Sequence, residues 1–239
     1  MAVIVHSLAA VTLVGGAQLR LQDLTMALSL APSLVAADGG ADQLLAAGLQ
    51  PQAVIGDMDS ISDRAAAAFA SVLHRVPEQE TTDFDKALRH IAAPLVIAVG
   101  VTGGRFDHEL AVLHSLLRHP ATPCVVLGPD SLLFLCPPVL EVTLPPGTLF
   151  SLFPLAPVRC TSTGLRWPTD HLRFAPGQVI GTSNEVAGPR VAGPKVAGPR
   201  VAGPVRLQAD APAMLVILPA SVLEPVVTAL LSQPATWSV

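Results

Sequence analysis

Three short segments concentrate carboxylates and glycines: Asp38-Gly39-Gly40, Gly56-Asp57-Met58-Asp59 and Gly103-Gly104-Arg105-Phe106-Asp107. Crowded carboxylates repel one another and raise their own pKa values unless a cation offsets them. Asp57 and Asp59 are two apart, so on an extended segment both point the same way. Such a pair suits a hard cation such as Mg2+, which takes oxygen ligands and keeps phosphate as a co-ligand. Asp and Gly are also common turn residues. It is the repetition at three successive strand ends that favours a site.

The glycines supply the other half of phosphate chemistry. Lacking side chains, they let backbone N–H groups approach an anion, and a following helix adds its positive end. Gly103-Gly104 followed by Arg105 is therefore a candidate polyphosphate cradle. The chain has neither a GxxxxGK[ST] loop nor a GxGxxG fingerprint. Between the second and third segments, Gln79 to Lys86 adds polar density. Asp83 and Lys86 are three apart and share one face of a helix that Thr82 caps, with Asp85 at the capping-box position. His108 and His114 read as ordinary helix residues.

These segments need strands to position them. Short apolar runs alternate with helix-like stretches through the first half. Strands are expected at Leu8–Val14, Leu34–Ala37, Ala53–Ile55, Leu95–Val99 and Cys124–Leu127. Helices are expected from Gly40 to Gly48, Arg64 to Leu73, Asp83 to Ile91 and Glu109 to Leu117. The alternation implies an α/β domain, a parallel sheet with helices on both faces. Ligands of such sheets lie at the carboxyl ends of the strands, so all three segments should face one crevice.

The second half changes character. Prolines cluster at 137–138, 145–146, 154 and 157, between short apolar runs. Strands are expected at Val139–Leu144, Thr148–Phe153, Val179–Ile180 and Met214–Leu218. The reading is an α/β domain over residues 1–137 and a small all-β sandwich over 138–239. Val186 to Pro204 repeats Val-Ala-Gly-Pro four times, with Arg190, Lys195 and Arg200 between copies. So short a period cannot bury a core, and an expanded hairpin loop over 186–204 is expected.

Composition excludes several classes. Of 239 residues, 51% are apolar and 13% charged, which rules out a disordered chain. A net charge of −4 and the absence of Tyr argue against a nucleic-acid surface. No apolar run reaches the ~18 residues of a membrane helix. Cys124, Cys136 and Cys160 share no metal-type spacing and read as reduced core thiols, so a cytoplasmic location is expected.

Six motifs, in order, resemble the thiamine pyrophosphokinase family. They are Ala37-Asp38-Gly39-Gly40-Ala41, Gly56-Asp57-Met58-Asp59-Ser60, Thr82-Asp83-Phe84-Asp85-Lys86-Ala87-Leu88, Gly103-Gly104-Arg105-Phe106-Asp107-His108, Thr163-Gly164-Leu165-Arg166-Trp167 and Gly181-Thr182-Ser183-Asn184-Glu185. The match spans about residues 11 to 218. The resemblance implies diphosphate transfer from ATP to thiamine with release of AMP, Mg2+ as cofactor, and a homodimer with sites between subunits. It implies that Asp57, Asp59 and Asp83 handle the metal and catalysis. Asp38, Gly39, Gly40, Lys86, Gly103, Gly104, Arg105 and Asp107 would serve ATP, and Gln79, Thr82, Trp167, Ser183 and Asn184 would line the thiamine site.

Two features depart from the family pattern. Members often carry Asp-Gln-Asp where this chain has Glu78-Gln79-Glu80, and the Val-Ala-Gly-Pro array is foreign to it. The alternatives are a related pyrophosphokinase acting on another hydroxymethyl compound, such as a pterin, and a non-catalytic thiamine or nucleotide sensor.

Overall fold

Continuous apolar runs become strands buried along their whole length. The computed structural model describes residues 2–188, 203–232 and Trp237. It divides into two compact units, Met1–Pro129 and Asp130–Val239. In the first unit the order is β1 (Val5–His6), β2 (Val11–Val14), α1 (Leu21–Leu30), β3 (Ser33–Ala37), α2 (Gly40–Ala46), β4 (Ala53–Gly56), α3 (Asp63–Ala68) and β5 (Leu73–Arg75). It continues with α4 (Asp83–Arg89), β6 (Ile91–Ala92), β7 (Val96–Val99), α5 (Phe106–Arg118) and β8 (Cys124–Leu127).

Every strand pair of this unit is parallel, and the strands lie in the order β8-β7-β2-β3-β4-β5. The chain steps outward from β2 to β5 and then returns to the other side of β2 to form β7. The order therefore reverses between β2 and β7, where open sheets leave a crevice. The short strands β1 and β6 form a separate parallel pair.

Two glycines are required by close approach. A Cβ on Gly40 would lie 2.1 Å from the Val14 carbonyl oxygen, so only glycine lets α2 begin against the end of β2. A Cβ on Gly56 would lie 2.7 Å from the Asp38 Cβ. Any larger residue there would push apart two of the candidate acidic segments.

Several first-half boundaries shift for physical reasons. The strand expected over Leu8–Val14 starts only at Val11, because Leu8 is fully exposed. The helix after Asp59 stops at Ala68, and Leu73–Arg75 pairs with β4 as a strand. The helix after Thr82 ends at Arg89 because Ile91 enters β6.

The second unit contains β9 (Ser131–Leu135), β10 (Val139–Leu144), β11 (Ser151–Pro154), β12 (Val158–Thr163), β13 (Arg173–Phe174), β14 (Gly203–Ala209), β15 (Met214–Pro219) and α6 (Leu223–Ser232). All its strand pairs are antiparallel, so strand pairing in the chain as a whole is mixed rather than purely parallel. One sheet runs β10-β14-β12-β13, and β15 pairs with β9 and β11. Along β10, β12 and β14 buried and exposed residues alternate, which places Leu140, Val142, Cys160 and Leu207 on an apolar face.

Four second-half expectations change, and the first is that the strand expected over Thr148–Phe153 forms at Ser151–Pro154. Ser131–Leu135 pairs with β15 within the second unit, so that unit begins at Asp130, ahead of the expected boundary at 137. The unit is not purely β: α6 buries Leu223, Val226 and Val227, and Pro225 falls in its first turn, where no amide donor is needed. Val179 and Ile180 are exposed and form no strand.

Of the expected repeat loop, residues 189–202 lie outside the described residues. Its two ends belong to the fold: Val186 is buried and bridges Leu165, and Gly203–Pro204 pair with Leu144 and Thr143. Trp237, near the chain end, donates its indole N–H to the Cys136 carbonyl at 2.9 Å.

Candidate active site

Parallel pairing assembles the acidic centre. Ala37 on β3 is opposite Ile55 on β4, and the Asp38 amide donates to the Ile55 carbonyl at 3.0 Å. This puts Asp38 beside the Gly56-Asp57-Met58-Asp59 turn. The turn is pinned by the Met58 amide, which donates to Asp38 Oδ2 at 2.9 Å. Asp38 and Met58 both adopt positive φ, 37° and 67°, a conformation rare outside glycine. Helix α4 then brings in Asp83. The result is four carboxylates, from Asp38, Asp57, Asp59 and Asp83, whose oxygens lie within 4.8 Å of one another.

Their environments differ. Asp38 is fully buried, Asp57 nearly so, and Asp59 is exposed. Lys86 sits one helical turn after Asp83 with its side chain 2% exposed. Its ammonium donates to Asp57 Oδ2 at 2.7 Å and to Asp83 Oδ1 at 3.2 Å. Gln79 Nε2 donates to Asp57 Oδ2 at 2.8 Å, and Arg75 Nε donates to the Asp57 carbonyl at 3.3 Å.

These contacts separate the pKa values. Burial, followed by the neighbouring Asp83 and Asp57, pushes Asp38 up to about 6 from an ordinary 3.8. Burial also pushes Asp57 upward, but the Lys86 ammonium and the other hydrogen bonds outweigh it and hold the group down at about 2. Burial raises Asp83, with Lys86 opposing. Lys86 is raised: burial works against its charge, but Asp57 and Asp83 more than compensate.

One oxygen of this cluster, Asp38 Oδ1, is buried without a hydrogen-bond partner. A buried carboxylate oxygen left unpaired is costly, and a hard cation would satisfy it. The all-oxygen donor set therefore fits Mg2+.

A sign-specific pH prediction follows from Asp38. In the metal-free protein its raised pKa contributes stability that is fully present below about pH 4 and is lost as pH rises through about 6. Asn at this position keeps the shape and stays neutral. The thermal midpoint of Asp38→Asn should therefore rise relative to wild type as pH increases from 4 to 7 in chelator. A midpoint difference that stays constant over that range would refute the assignment. Stabilisation of wild type by added Mg2+ should follow the opposite course, weak at pH 5 and full by pH 7, because metal ligands must be deprotonated.

Beside the carboxylates lies a cleft of about 850 Å3, lined by Gly15, Gly16, Gly39, Asp42, Ser60, Thr82, Asp83, Gly103, Gly104, Arg105 and His108 among others. It opens at the β2/β7 reversal. Gly15-Gly16 contributes to it and was not singled out from sequence, since a Gly-Gly pair without charged companions carries little signal. Asp42 was also missed; it accepts from the Ser62 amide at 2.9 Å and from the Ser62 hydroxyl, tying α2 to the start of α3.

The Gly103-Gly104 loop is partly occupied by the protein itself. The Gly103 amide donates to Glu109 Oε1 at 2.8 Å across the first turn of α5. Arg105 and Asp107 form an exposed ion pair at 2.6 Å, each raising the preference of the other for its charged form.

Thr82 caps α4 by accepting from the Asp85 amide at 3.4 Å. Asp85 does not complete a capping box. It is buried and turns to Arg118 at 3.3 Å and His119 at 3.0 Å, which ties α4 to α5. Glu78, part of the segment that departs from the family pattern, is not among the clustered carboxylates. It accepts from the Thr81 hydroxyl, the Glu80 and Thr81 amides and Arg89, and these contacts outweigh burial and hold it down at about 2.

In the second unit, Trp167, Ser183 and Asn184 come together. Asn184 is 6% exposed; its Oδ1 accepts from the Trp167 amide at 3.2 Å and the Glu185 amide at 2.8 Å, and its Nδ2 donates to the Trp167 carbonyl at 2.8 Å. Its polar capacity is spent on positioning Trp167. Ser183 is exposed at φ 63°, its amide donating to Ser151 Oγ at 2.9 Å. Trp167 itself is 51% exposed.

An α/β unit with an acidic cluster at the carboxyl ends of its strands, followed by a unit of antiparallel strands, is also the order of domains found by comparison. The profile "Thiamin pyrophosphokinase, catalytic domain" matches residues 24–126, and "Thiamin pyrophosphokinase, vitamin B1 binding domain" matches residues 139–192. The chain is 31% identical over 158 residues to thiamine pyrophosphokinase 1 of Arabidopsis thaliana, covering 57% of this chain and 59% of that protein. It is 30% identical over 172 residues to thiamin pyrophosphokinase 1 of Caenorhabditis elegans, covering 64% and 70%.

Among solved structures, thiamin pyrophosphokinase from Candida albicans superposes with TM-score 0.70 at 16% identity, covering 90% of this chain and 93% of that one. The Geobacillus thermodenitrificans protein gives 0.67 at 22%, covering 90% and 99%. These likenesses establish the fold. The chain belongs to the thiamin pyrophosphokinase family. It spans about three-fifths of the length of the Arabidopsis relative.

Proposed function

We propose that this chain transfers a diphosphate from ATP to the hydroxyl of thiamine, giving thiamine diphosphate and AMP. The observation that carries the reading is the cluster of Asp38, Asp57, Asp59 and Asp83 beside the cleft at the sheet reversal. Membership of the family and the names of the relatives support it. Bound at the cluster by Asp38, Asp57 and Asp59, Mg2+ would neutralise polyphosphate charge, leaving Asp83 beside it as a base.

The protein's own groups do the rest. The cleft positions ATP, with the Gly103-Gly104-Arg105 loop on one wall and Gly39 on another. Asp83 lines the same cleft, is 30% exposed and has a raised pKa, so it suits a base that takes the proton of the attacking hydroxyl. The hydroxyl oxygen bonds to the β-phosphorus, the bond from that phosphorus to the α,β-bridging oxygen breaks, and AMP leaves in line. Lys86 holds Asp57 and Asp83 in register between two salt bridges.

The test is AMP release from ATP with thiamine, with a hydroxymethylpterin and with neither. AMP release that depends on the pterin and not on thiamine would select the alternative substrate, and tight thiamine binding without AMP release would indicate a sensor.

Trp167 belongs to this reading as the thiamine platform. Its half exposure shows that it is not a core residue. Thiamine offers a cationic thiazolium and a flat pyrimidine, and indole is a strong neutral partner for either. Trp167→Ala should raise the thiamine KM about tenfold to a hundredfold, from the roughly 1–3 kcal/mol of a desolvated contact, with the ATP KM unchanged. An unchanged thiamine KM in folded mutant would remove Trp167 from the site.

The same reading includes a homodimer in a reducing, cytoplasmic compartment. Phe106 and Leu110, one turn apart on α5, are exposed apolar surface for a second copy. All three cysteines are free and buried, as a reducing compartment allows. Light scattering that gives a monomer mass would exclude the dimer. Among the described residues no helix is long and apolar enough to cross a membrane.

A further inference from the structure

The indole of Trp167 already carries a cation. The Arg166 guanidinium carbon lies 4.7 Å from the ring centroid. The same guanidinium donates to Glu185 Oε1 at 2.7 Å, and the Arg166 amide donates to the Glu185 carbonyl at 2.9 Å. Asn184 fixes the Trp167 backbone from both sides, and the bridge between Leu165 and Val186 closes the turn. Trp167 therefore has one face covered by a charged neighbour, while the residue as a whole is 51% exposed and leaves area for a second ring.

An unpaired cation against one face of an indole disfavours a second cation on the other, because both draw on the same ring quadrupole and repel each other. Here the Glu185 carboxylate stands directly against the guanidinium and cancels that repulsion. We propose that Arg166 and Glu185 form a charge-neutral backing for Trp167, so that the open indole face accepts a flat cationic ring, with Glu185 the residue that sets this preference. The proposal rests on the assignment of Trp167 to the thiamine site.

The test compares wild type, Glu185→Gln, Arg166→Gln and the double variant, by steady-state kinetics and by calorimetric binding of thiamine and of the uncharged hydroxymethylpyrimidine half of thiamine. Glu185→Gln leaves the Arg166 charge uncompensated and should raise the thiamine KM about fivefold, the effect expected of two unit charges roughly 8 Å apart in a partly wet site. The ATP KM and the affinity for the neutral pyrimidine should not change, and the thiamine defect should shrink at high salt.

Arg166→Gln alone should not raise the thiamine KM, and the double variant should return to within about twofold of wild type. If Glu185 merely holds the loop, the double variant will be at least as impaired as Glu185→Gln, with no salt dependence and an equal loss for the neutral ring, and the proposal falls. Wild type that neither binds nor turns over thiamine would instead refute the thiamine assignment, before any variant is compared.

Discussion

Asp59→Asn should abolish turnover without moving the thermal midpoint. Asp59 is the exposed member of the cluster, and its side chain accepts from the Ser60 hydroxyl at 2.9 Å. It supports no packing, so removing its charge costs the fold little. Its carboxylate nonetheless stands with Asp38, Asp57 and Asp83 inside a 4.8 Å cluster. A divalent ion held there would stabilise the transferring phosphoryl charge by several kcal/mol, so on the proposed reading losing a ligand should lower kcat by about 10^3-fold or more.

Asp57→Asn should show the same kinetic loss together with a fall in stability, because it also removes a partner of Lys86. The pair of variants thus separates chemistry from folding. Turnover that persists in excess chelator, or an Asp59→Asn enzyme as active as wild type, would sink the metal assignment.

How much of this was legible in the sequence varied with the kind of signal. Strands β4, β7 and β8 are buried throughout and β3 from Leu34 onward, and a run with no polar alternation announces them. Asp57 and Asp59 stood out by their spacing, although the segment is a turn with Met58 at φ 67° rather than extended, and Asp83 joined them only through the family resemblance. Asp38 read as a nucleotide residue, and its place among the carboxylates was hidden. That place depends on the register of β3 against β4, which no local pattern encodes.

Asn184 shows the reverse limit. Its motif marked it, yet whether its amide faces a ligand or the Trp167 backbone is decided by the turn geometry. Glu109 left no mark at all: a glutamate in the first turn of a helix is ordinary, and its bond to Gly103 exists only because the loop folds back over α5. In the second unit β12 and the two-residue β13 were missed, since Thr, Ser and Arg alternate with few apolar residues along them.

Lys86→Met should be among the most damaging single changes to the fold. The side chain is 2% exposed and lies between Asp57, itself 7% exposed, and Asp83. Methionine fills a similar volume but leaves Asp57 buried without its cation, and breaking a buried pair from one side typically costs about 3–5 kcal/mol. Gln79 still donates to Asp57 Oδ2, which spares part of that loss.

The pH dependence has a definite sign. Asp57 is depressed to about 2 with Lys86 beside it, so its stabilising contribution is present above the ordinary carboxylate value near 4 and is lost only as pH falls toward 2. Without Lys86 that contribution disappears and the carboxyl moves up, so the variant should be most impaired near neutral pH and approach wild type in acid. Adding Asp57→Asn to Lys86→Met removes the orphaned charge and should recover a large part of the lost stability, although the enzyme stays inactive.

Chemical denaturation of the two single variants and the double variant at pH 7 and pH 4 supplies the cycle. A double variant less stable than Lys86→Met would show that Lys86 serves packing rather than charge balance.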